Sequence, residues 1–322
     1  MIKKIIRYIK RKIENIFKIK IEKIKTSEKY NKSFVLAINQ LSKFKSNSIY
    51  NDGLTCVIFS KDRALQLYAL LESIKLRSNI RGKIYIIYKT SNLKHEKSYN
   101  DLIIETKDFN FKIEWIIETK DFKNTLLSVL QNIKTKKMFF LTDDDIFINN
   151  FDLNDCKIFS DNNLIFSLRL SKNISHSYNL QKKIKAPHLK KLDYRNYYKF
   201  KWFETDGEWN YPWSVNGHIY LLSDIIILTS ISDFNAPNSY EAALQDFNFY
   251  GKKKLGICSE KSFLINLPVN ITQSEIKNKS GSIKLDDYLK AWENKKKLNI
   301  EVLENYNPYS VHEEHILLLI DR

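Results

Sequence analysis

Three consecutive aspartates, Asp143, Asp144 and Asp145, stand directly behind an apolar run in "MFFLTDDDIFI" (138–148). Adjacent like charges repel by roughly 1 kcal/mol per pair in water and a few times more near protein, so the arrangement calls for a positive charge to answer it. In an extended segment alternate side chains share a face, which predicts Asp143 and Asp145 together and Asp144 turned away. Two hard oxygen ligands at a strand end suit Mg²⁺ or Mn²⁺, which keep waters and borrow further ligands from substrate phosphates. A calcium-binding EF-hand loop is excluded, because its glycine would fall at Ile148 and its terminal glutamate at Asn154. The structural alternative is a solvated acidic turn that caps a helix.

The elements that must position these groups recur at regular spacing. "LTCVIF" (54–59), "KIYIIY" (83–88), "IEWIIE" (113–118) and "MFFLT" (138–142) are β-branched and aromatic runs, and the segments between them read as helices. In "RALQLYALLESIK" (63–75) Leu67, Leu70, Leu71 and Ile74 share one helical face, and "FKNTLLSVLQNI" (122–133) behaves likewise. Strand, helix, strand at this spacing implies right-handed crossovers and an α/β fold with a mostly parallel sheet flanked by helices. Ligands of such sheets sit beyond the carboxyl ends of the strands. "FSKDR" and "TDDD" both follow strands there, so they are expected to line one cleft. Further on, "NLIFSLRL" (163–170) reads as a strand and "SYEAALQDFNFYG" (239–251) as a helix.

Composition narrows the function classes. The chain has 322 residues, 43% of them hydrophobic and 13% aromatic, which argues for a substantial core. Its seven glycines form neither GxGxxG nor GxxxxGK[ST], so a Rossmann cofactor loop and a P-loop are both disfavoured. Cys56, Cys156 and Cys258 are far apart without a CxxC pair, and are expected to be reduced thiols of a cytoplasmic protein. No run of 18 apolar residues predicts a membrane span, and the charged N-terminus does not read as a secretory signal.

The net charge of +16 is uneven: residues 1–25 hold ten Lys/Arg against Glu14 and Glu22, a net of +8. Ile2, Ile5, Ile6, Ile9, Ile13, Ile16, Phe17 and Ile24 largely follow helical spacing within that stretch. A basic amphipathic helix of this kind suits an anionic membrane surface, at about 1 kcal/mol per basic residue near the lipid, or packs on the protein itself. Residues 1–50 are therefore expected to form a basic helical extension and linker, and 51–322 one domain. Within it, residues 51–150 would bind nucleotide and 151–322 the acceptor.

The stretch from "CVIFSKDRALQLYALLESI" to "FFLTDDDIFI" resembles the nucleotide-binding half of GT-A fold glycosyltransferases, which use a DxD motif. "FSLRLSKN", "YPWSVNGHIYLLSDI", "PNSYEAAL", "LPVNITQ" and "SVHEEH" resemble a group of uncharacterised bacterial glycosyltransferases of that fold, family 2-like, so that the resemblance covers roughly residues 54–320. It implies that Ser60, Asp62 and Arg63 contact the nucleotide of a UDP-linked or similar sugar donor. Lys123 would lie near its ribose or phosphate, Asp143 near the ribose with Asp144 beside it, and Asp145 on the metal, with Asp143 as a further ligand. His312 would reach the Mn²⁺ or Mg²⁺ as a ligand, with His315 as a competitor. Such enzymes are expected to carry an acidic residue before the Gly-His pair, where this chain has Asn216.

A nucleoside-diphosphate leaving group gains charge as the glycosidic bond breaks, and cationic support from a divalent ion, Arg63 and Lys123 suits that need. For an inverting transfer a carboxylate must take the acceptor hydroxyl's proton. Glu241 is the candidate, with helix-dipole stabilisation as its structural alternative and Asp206 and Glu208 as rivals. His218 is expected to face the acceptor. Trp202, Trp209 and Trp213 could stack on sugars, although core packing explains at least two of them. The sequence thus reads as a metal-dependent glycosyltransferase acting on a surface-polysaccharide or lipid-linked glycan, in the cytoplasm or peripheral on the inner face of the plasma membrane. A sugar-phosphate nucleotidyltransferase normally has a glycine-rich loop where this chain has "FSKDRA". A non-catalytic basic protein that binds membrane or nucleic acid leaves the three aspartates unexplained, and no nucleic-acid motif is present.

Overall fold

A computed structural model describes residues 51–80, 82–118, 121–154, 163–270 and 283–322; the extension expected over residues 1–50 and Cys156 lie outside them. Strands and helices alternate as the spacing predicts: β1 (Asn51–Lys61), α1 (Ala64–Arg77), β2 (Ile84–Lys89), α2 (Leu93–Glu105), β3 (Ile113–Ile117), α3 (Phe122–Asn132) and β4 (Thr135–Thr142). The four strands pair in parallel in the order β3-β2-β1-β4. Cys56, Ile58, Phe139 and Leu141 enter the apolar layer on one face, and Val57, Phe59, Met138 and Phe140 the layer on the other. Burial on both faces is why these strands read as unbroken apolar runs.

Two of the helices begin at side-chain caps, α2 at Asn92 and α3 at Asp121. The side chain of Asn92 accepts from the N–H groups of Lys94 and His95 at α2, and that of Asp121 from Asn124 at α3. Leu67, Leu70, Leu71 and Ile74 of α1 are fully buried, as the periodicity predicts, but so are most of its other residues. A C-terminal layer that includes the buried Trp292 covers the helix on its outer side. Arg77 ties these layers together by donating from Nη1 to Phe147 O (2.9 Å) and from Nη2 to Ile300 O (3.1 Å).

After β4 the chain turns at Asp143–Asp144 and enters β5 (Asp145–Phe147). Then come β6 (Leu164–Ser171), a small hairpin of β7 (His176–Ser177) and β8 (Lys182–Lys183), β9 (Lys190–Lys191), β10 (Tyr197–Lys201), β11 (His218–Leu221) and β12 (Leu255–Ser259). The sheet has nine strands in the order β3-β2-β1-β4-β11-β6-β12-β10-β9. Only β11 and β10 oppose the direction of the others, so the sheet is mostly parallel and the fold α/β. With β2 on one side of β1 and β4 on the other, the winding direction reverses between β1 and β4. A crevice outside their carboxyl ends is where such sheets bind ligands.

The single helix expected over 239–251 is broken. It consists of α4 (Pro237–Leu244), a 3₁₀ turn at Gln245–Phe247 and a short helix at Asn248–Gly251. At the break the Gln245 amide donates to Trp213 O (2.6 Å) and Trp213 Nε1 to Phe247 O (3.1 Å), so bonds to the 212–217 segment take over from the helix's own. Trp202, Trp209 and Trp213 are all buried, which leaves none of them as a platform for a sugar. Among the described residues no helix is long and apolar enough to cross a membrane.

Candidate active site

The site begins at the end of β1. Ser60 Oγ donates to Asp143 Oδ2 (2.8 Å), and the Lys61 N–H donates to the same oxygen (3.1 Å). Arg63 is buried, and its Nη1 donates to Asp143 Oδ1 at 2.8 Å and to Asp144 Oδ2 at 3.2 Å. Its Nε and Nη2 are held by the side chain and carbonyl of Asn270. Burial alone would lower the Arg63 pKa, but Asp143 and Asp144 raise it above the usual arginine value. "FSKDR" and "TDDD" therefore meet in one cleft, as their places after strands imply.

The expected alternation of the aspartates does not hold. Asp143 and Asp144 form a turn between β4 and β5, where the period of two does not apply, and both face Arg63. Asp144, predicted to point away, is the least buried of the three and accepts from Thr142 Oγ1 (2.7 Å) and Asn266 Nδ2 (2.8 Å). Asp145 is fully buried and meets only neutral donors: Thr142 N (2.8 Å) and the amides of Asn216 (3.1 Å) and Asn266 (3.0 Å). Burial first, and then the charge of Asp144, push its pKa up to about 7. One guanidinium thus answers two of the three carboxylates. The answer to their mutual repulsion is incomplete within the chain itself.

The Asn216 amide stands where an acidic residue was expected, and it donates to both Asp145 oxygens and to Thr142 Oγ1. A carboxylate there would instead add a fourth negative charge against Asp145. Gly217, at φ +64°, carries the chain from this contact into β11. Its N–H donates to Phe140 O and its carbonyl accepts from Leu168, both at 2.8 Å, and a Cβ would lie 2.4 Å from Leu264 Cδ2.

His312 joins the same network from the C-terminal segment. β13 (Leu264–Asn266) pairs antiparallel with β5, and Asn266 bridges in turn to His312. His312 Nδ1 lies 3.0 Å from Asn266 Oδ1. Because the Asn266 amide nitrogen already donates to Asp144 and Asp145, Nδ1 carries the proton and the Nε2 lone pair is left free. Burial, and then the charge of Arg169, lower its pKa to about 3 against the pull of Asp144. His315 is elsewhere, paired with Glu313 at 3.1 Å. Glu313 also accepts from the Tyr309 and Ser310 N–H groups and from Tyr306 OH, pinning the loop that presents His312.

Glu241 is the fifth residue of α4, beyond the first turn, so the helix-dipole reading has no support. Its Oε1 accepts from Ser214 Oγ (2.9 Å) and the Val215 N–H (3.1 Å), while Oε2 takes no hydrogen bond among the described residues. Ser214 Oγ also accepts from the Asn216 N–H (3.1 Å), so the 214–216 segment runs from Glu241 to Asp145. The rivals lie apart from this network. Asp206 is exposed and pairs with Lys182, and buried Glu208 accepts from Ser177.

Three expected residues have different surroundings. Asp62, at φ 58°, accepts from the Ser91 N–H at 2.7 Å and ties the end of β1 to the loop before α2. Lys123 donates to Ser232 O (2.5 Å) and lies over the Phe234 ring, with no bond to the carboxylates. His218, expected at the acceptor, is fully buried with both ring nitrogens engaged: Nδ1 with Pro212 O (3.1 Å) and Nε2 with Arg169 Nε (3.2 Å). Burial and the Arg169 charge hold its pKa well below the usual histidine range, so the ring stays neutral. The folded His218 refuses a proton that the unfolded chain accepts. Its contribution to stability is therefore present above about pH 6.5 and lost as pH falls below it, by up to about 1.4 kcal/mol per pH unit. Urea midpoints of wild type and His218→Gln between pH 7.5 and 5 check this: the wild type should lose stability faster, and parallel curves would refute it.

Residues not singled out from the sequence complete the cleft. Tyr99 OH contacts Ser60 Oγ and accepts from the Arg63 N–H, and Asn266 and Asn270 hold the carboxylates and the guanidinium. Their signal was polar residues embedded in the apolar run "FLINLPVN". Among the described residues no group of three His, Cys, Asp or Glu side chains forms a ready metal cage.

No family model matches the chain. A bifunctional glycosyltransferase, pgtA of Dictyostelium discoideum, is 30% identical over 228 residues, 62% of this chain and 28% of that protein. The chain thus spans well under a third of the curated relative it matches. Among solved structures, residues 1–349 of S. aureus TarS show a TM-score of 0.40 at 12% identity, over 66% of this chain and 59% of that one. A UDP-glucose pyrophosphorylase complexed with UDP-glucose shows 0.36 at 11%, over 75% and 98%. Likenesses this distant say nothing of chemistry, and the fold rests on the strand order itself.

Proposed function

We propose that the chain is a metal-dependent glycosyltransferase of the GT-A type that moves a sugar from a nucleotide-sugar donor to a glycan or lipid-linked acceptor. The observation that carries this reading is the aspartate turn at the switch point between β1 and β4, where one arginine faces two of three carboxylates and buried Asp145 has no cationic partner among the described residues. The sequence match to a protein named as a glycosyltransferase points to the same chemistry.

The donor set suits a hard divalent ion. Asp144 and Asp145 supply carboxylate oxygens and His312 a free Nε2, few enough that water and phosphate oxygens would complete the shell. Asp143 is committed to Ser60, Lys61 and Arg63, which suits it to orienting the nucleotide. A bound Mn²⁺ or Mg²⁺ would offset the charge that develops on the diphosphate leaving group. Ser60, Asp62 and Arg63 would hold the nucleotide, with Lys123 at its margin. Glu241, anchored through Oε1, would receive the acceptor hydroxyl's proton on Oε2. The basic N-terminal extension would bring the enzyme to an anionic membrane surface.

A panel of nucleotide sugars, screened for hydrolysis and thermal protection with and without Mn²⁺, tests the reading. One or more UDP-sugars should raise the melting temperature and be hydrolysed slowly, in both cases only with the metal. Consumption of a nucleoside triphosphate with a sugar 1-phosphate would assign the site to nucleotidyl transfer. Protection by no nucleotide would end the proposal.

A further inference from the structure

Arg169 is a buried cation that the scheme above leaves unused. It lies on β6, 3% exposed, and its one side-chain hydrogen bond runs from Nε to His218 Nε2 at 3.2 Å. Of the other buried cationic side chains, Arg322 stacks on Trp292 with Nη2 3.5 Å from a Glu105 carboxylate oxygen. Arg63 and Lys254 pair with carboxylates, and Arg77 gives Nη1 and Nη2 to carbonyl oxygens. The terminal nitrogens of Arg169 have neither kind of partner among the described residues. They are not fully sealed from solvent, so an ion can reach them. A guanidinium held largely away from water without a counter-charge is unfavourable. An arrangement that keeps one therefore points to an anion supplied from outside.

The surroundings say where that anion would lie. The charge of Arg169 is felt by both His312 and Tyr211. His312 is bonded through Asn266 to Asp144 and Asp145, and Tyr211 also feels the charge of Glu241. Arg169 is bonded to His218, which lies two positions from Asn216 of the segment that links Glu241 to Asp145. Its backbone is fixed as well, since Leu168 donates to Gly217 O and Ser262 Oγ to Arg169 O. Neutral His218, with Nδ1 held by Pro212 O, presents an acceptor to Nε and leaves the Nη1–Nη2 edge free. That edge matches two oxygens of a phosphate.

We propose that Arg169 binds a phosphate oxyanion of the substrate beside the 214–216 segment, with His218 as the positioning residue that orients the guanidinium. The proposal rests on the glycosyltransferase reading for the origin of the oxyanion: the terminal phosphate of the donor's diphosphate, or a phosphate carried by the acceptor.

Calorimetric binding of UMP, UDP and inorganic phosphate to the full chain with Mg²⁺, in wild type and Arg169→Gln, tests it. If the donor supplies the oxyanion, UDP affinity should fall about 10- to 100-fold in the variant while UMP affinity is unchanged. If the acceptor supplies it, UDP binding should persist, and inorganic phosphate should bind the UDP-saturated wild type but not the variant. Equal affinities for all three probes in both proteins would overturn the proposal, as would a loss for UMP as large as for UDP. A wild type that binds phosphate through Arg169 but no nucleotide would support the anion site and refute the nucleotide-sugar reading. Should Arg169→Gln not fold, Arg169→Lys, which keeps the charge and loses the fork, carries the same comparison. Selective weakening of the phosphate-bearing probe supports the assignment, and unchanged affinities overturn it.

Discussion

Glu241→Gln should lower glycosyl transfer by about 10²- to 10⁴-fold, the usual contribution of a positioned general base, while donor binding persists. The substitution keeps a carbonyl oxygen where Oε1 accepts from Ser214 Oγ and the Val215 N–H, so the 214–216 segment and Asn216 stay in place. What disappears is the proton acceptor at Oε2. Replacing a charged acceptor by a neutral one costs about 1 kcal/mol, so the melting temperature should move by only a few degrees. Glu241→Ala offers a contrast, because it also releases Ser214 and Val215 and should lose stability as well as turnover. Near-normal turnover in Glu241→Gln with a lowered melting point would make the residue a structural clasp for the 214–216 segment, and Glu208 would be tested next.

Asp145→Asn should abolish the stabilisation that Mn²⁺ and nucleotide together give the wild type. A ligand present at about 100 times its Kd stabilises a fold by about 2.7 kcal/mol, a shift of several degrees for a chain of this size. The variant loses the carboxylate that only neutral amides surround, and with it the strongest attraction for a cation. Its amide must also face the Asn216 and Asn266 donors, a mismatch of about 1–3 kcal/mol. The metal-free melting temperature is therefore expected to fall modestly, with a circular-dichroism spectrum like that of the wild type. An undiminished response to Mn²⁺ plus UDP in the variant would remove Asp145 from the metal site and leave Asp144 and His312 as the ligands to test.

The parts of this molecule that were legible in the sequence are those governed by local periodicity. β1 to β4 and the helices between them follow from apolar runs and helical spacing, and two loops after strands must then share a crevice. Side-chain orientation within the crevice was not legible. Extended geometry predicts Asp143 and Asp145 on one face, but the chain turns at Asp143–Asp144, and Thr142 stabilises that turn with its hydroxyl and its amide. The partners of the aspartates were equally hidden. Asn266 reaches Asp144 and Asp145 through the pairing of β13 with β5, and Asn270 then reaches Arg63, which no local pattern encodes. His218 reads as a reactive histidine beside a glycine, yet long-range packing buries it and spends both nitrogens.

The span of these bonds also bears on how the protein is made. Ser60 and Asp143 lie 83 positions apart, Asp145 and Asn266 121, and Arg63 and Asn270 207. Each closes a long loop, whose entropy must be lost before the contact returns any free energy, a topology associated with slow folding. During synthesis the aspartates and Arg63 leave the ribosome long before Asn266 and Asn270. Until those arrive, water must solvate the carboxylates in place of the Asn266 amide and the guanidinium in place of Asn270. The crevice consequently matures last, after most of the sheet that frames it has been translated. A nascent chain that has not yet reached Asn266 holds the aspartate turn without that amide.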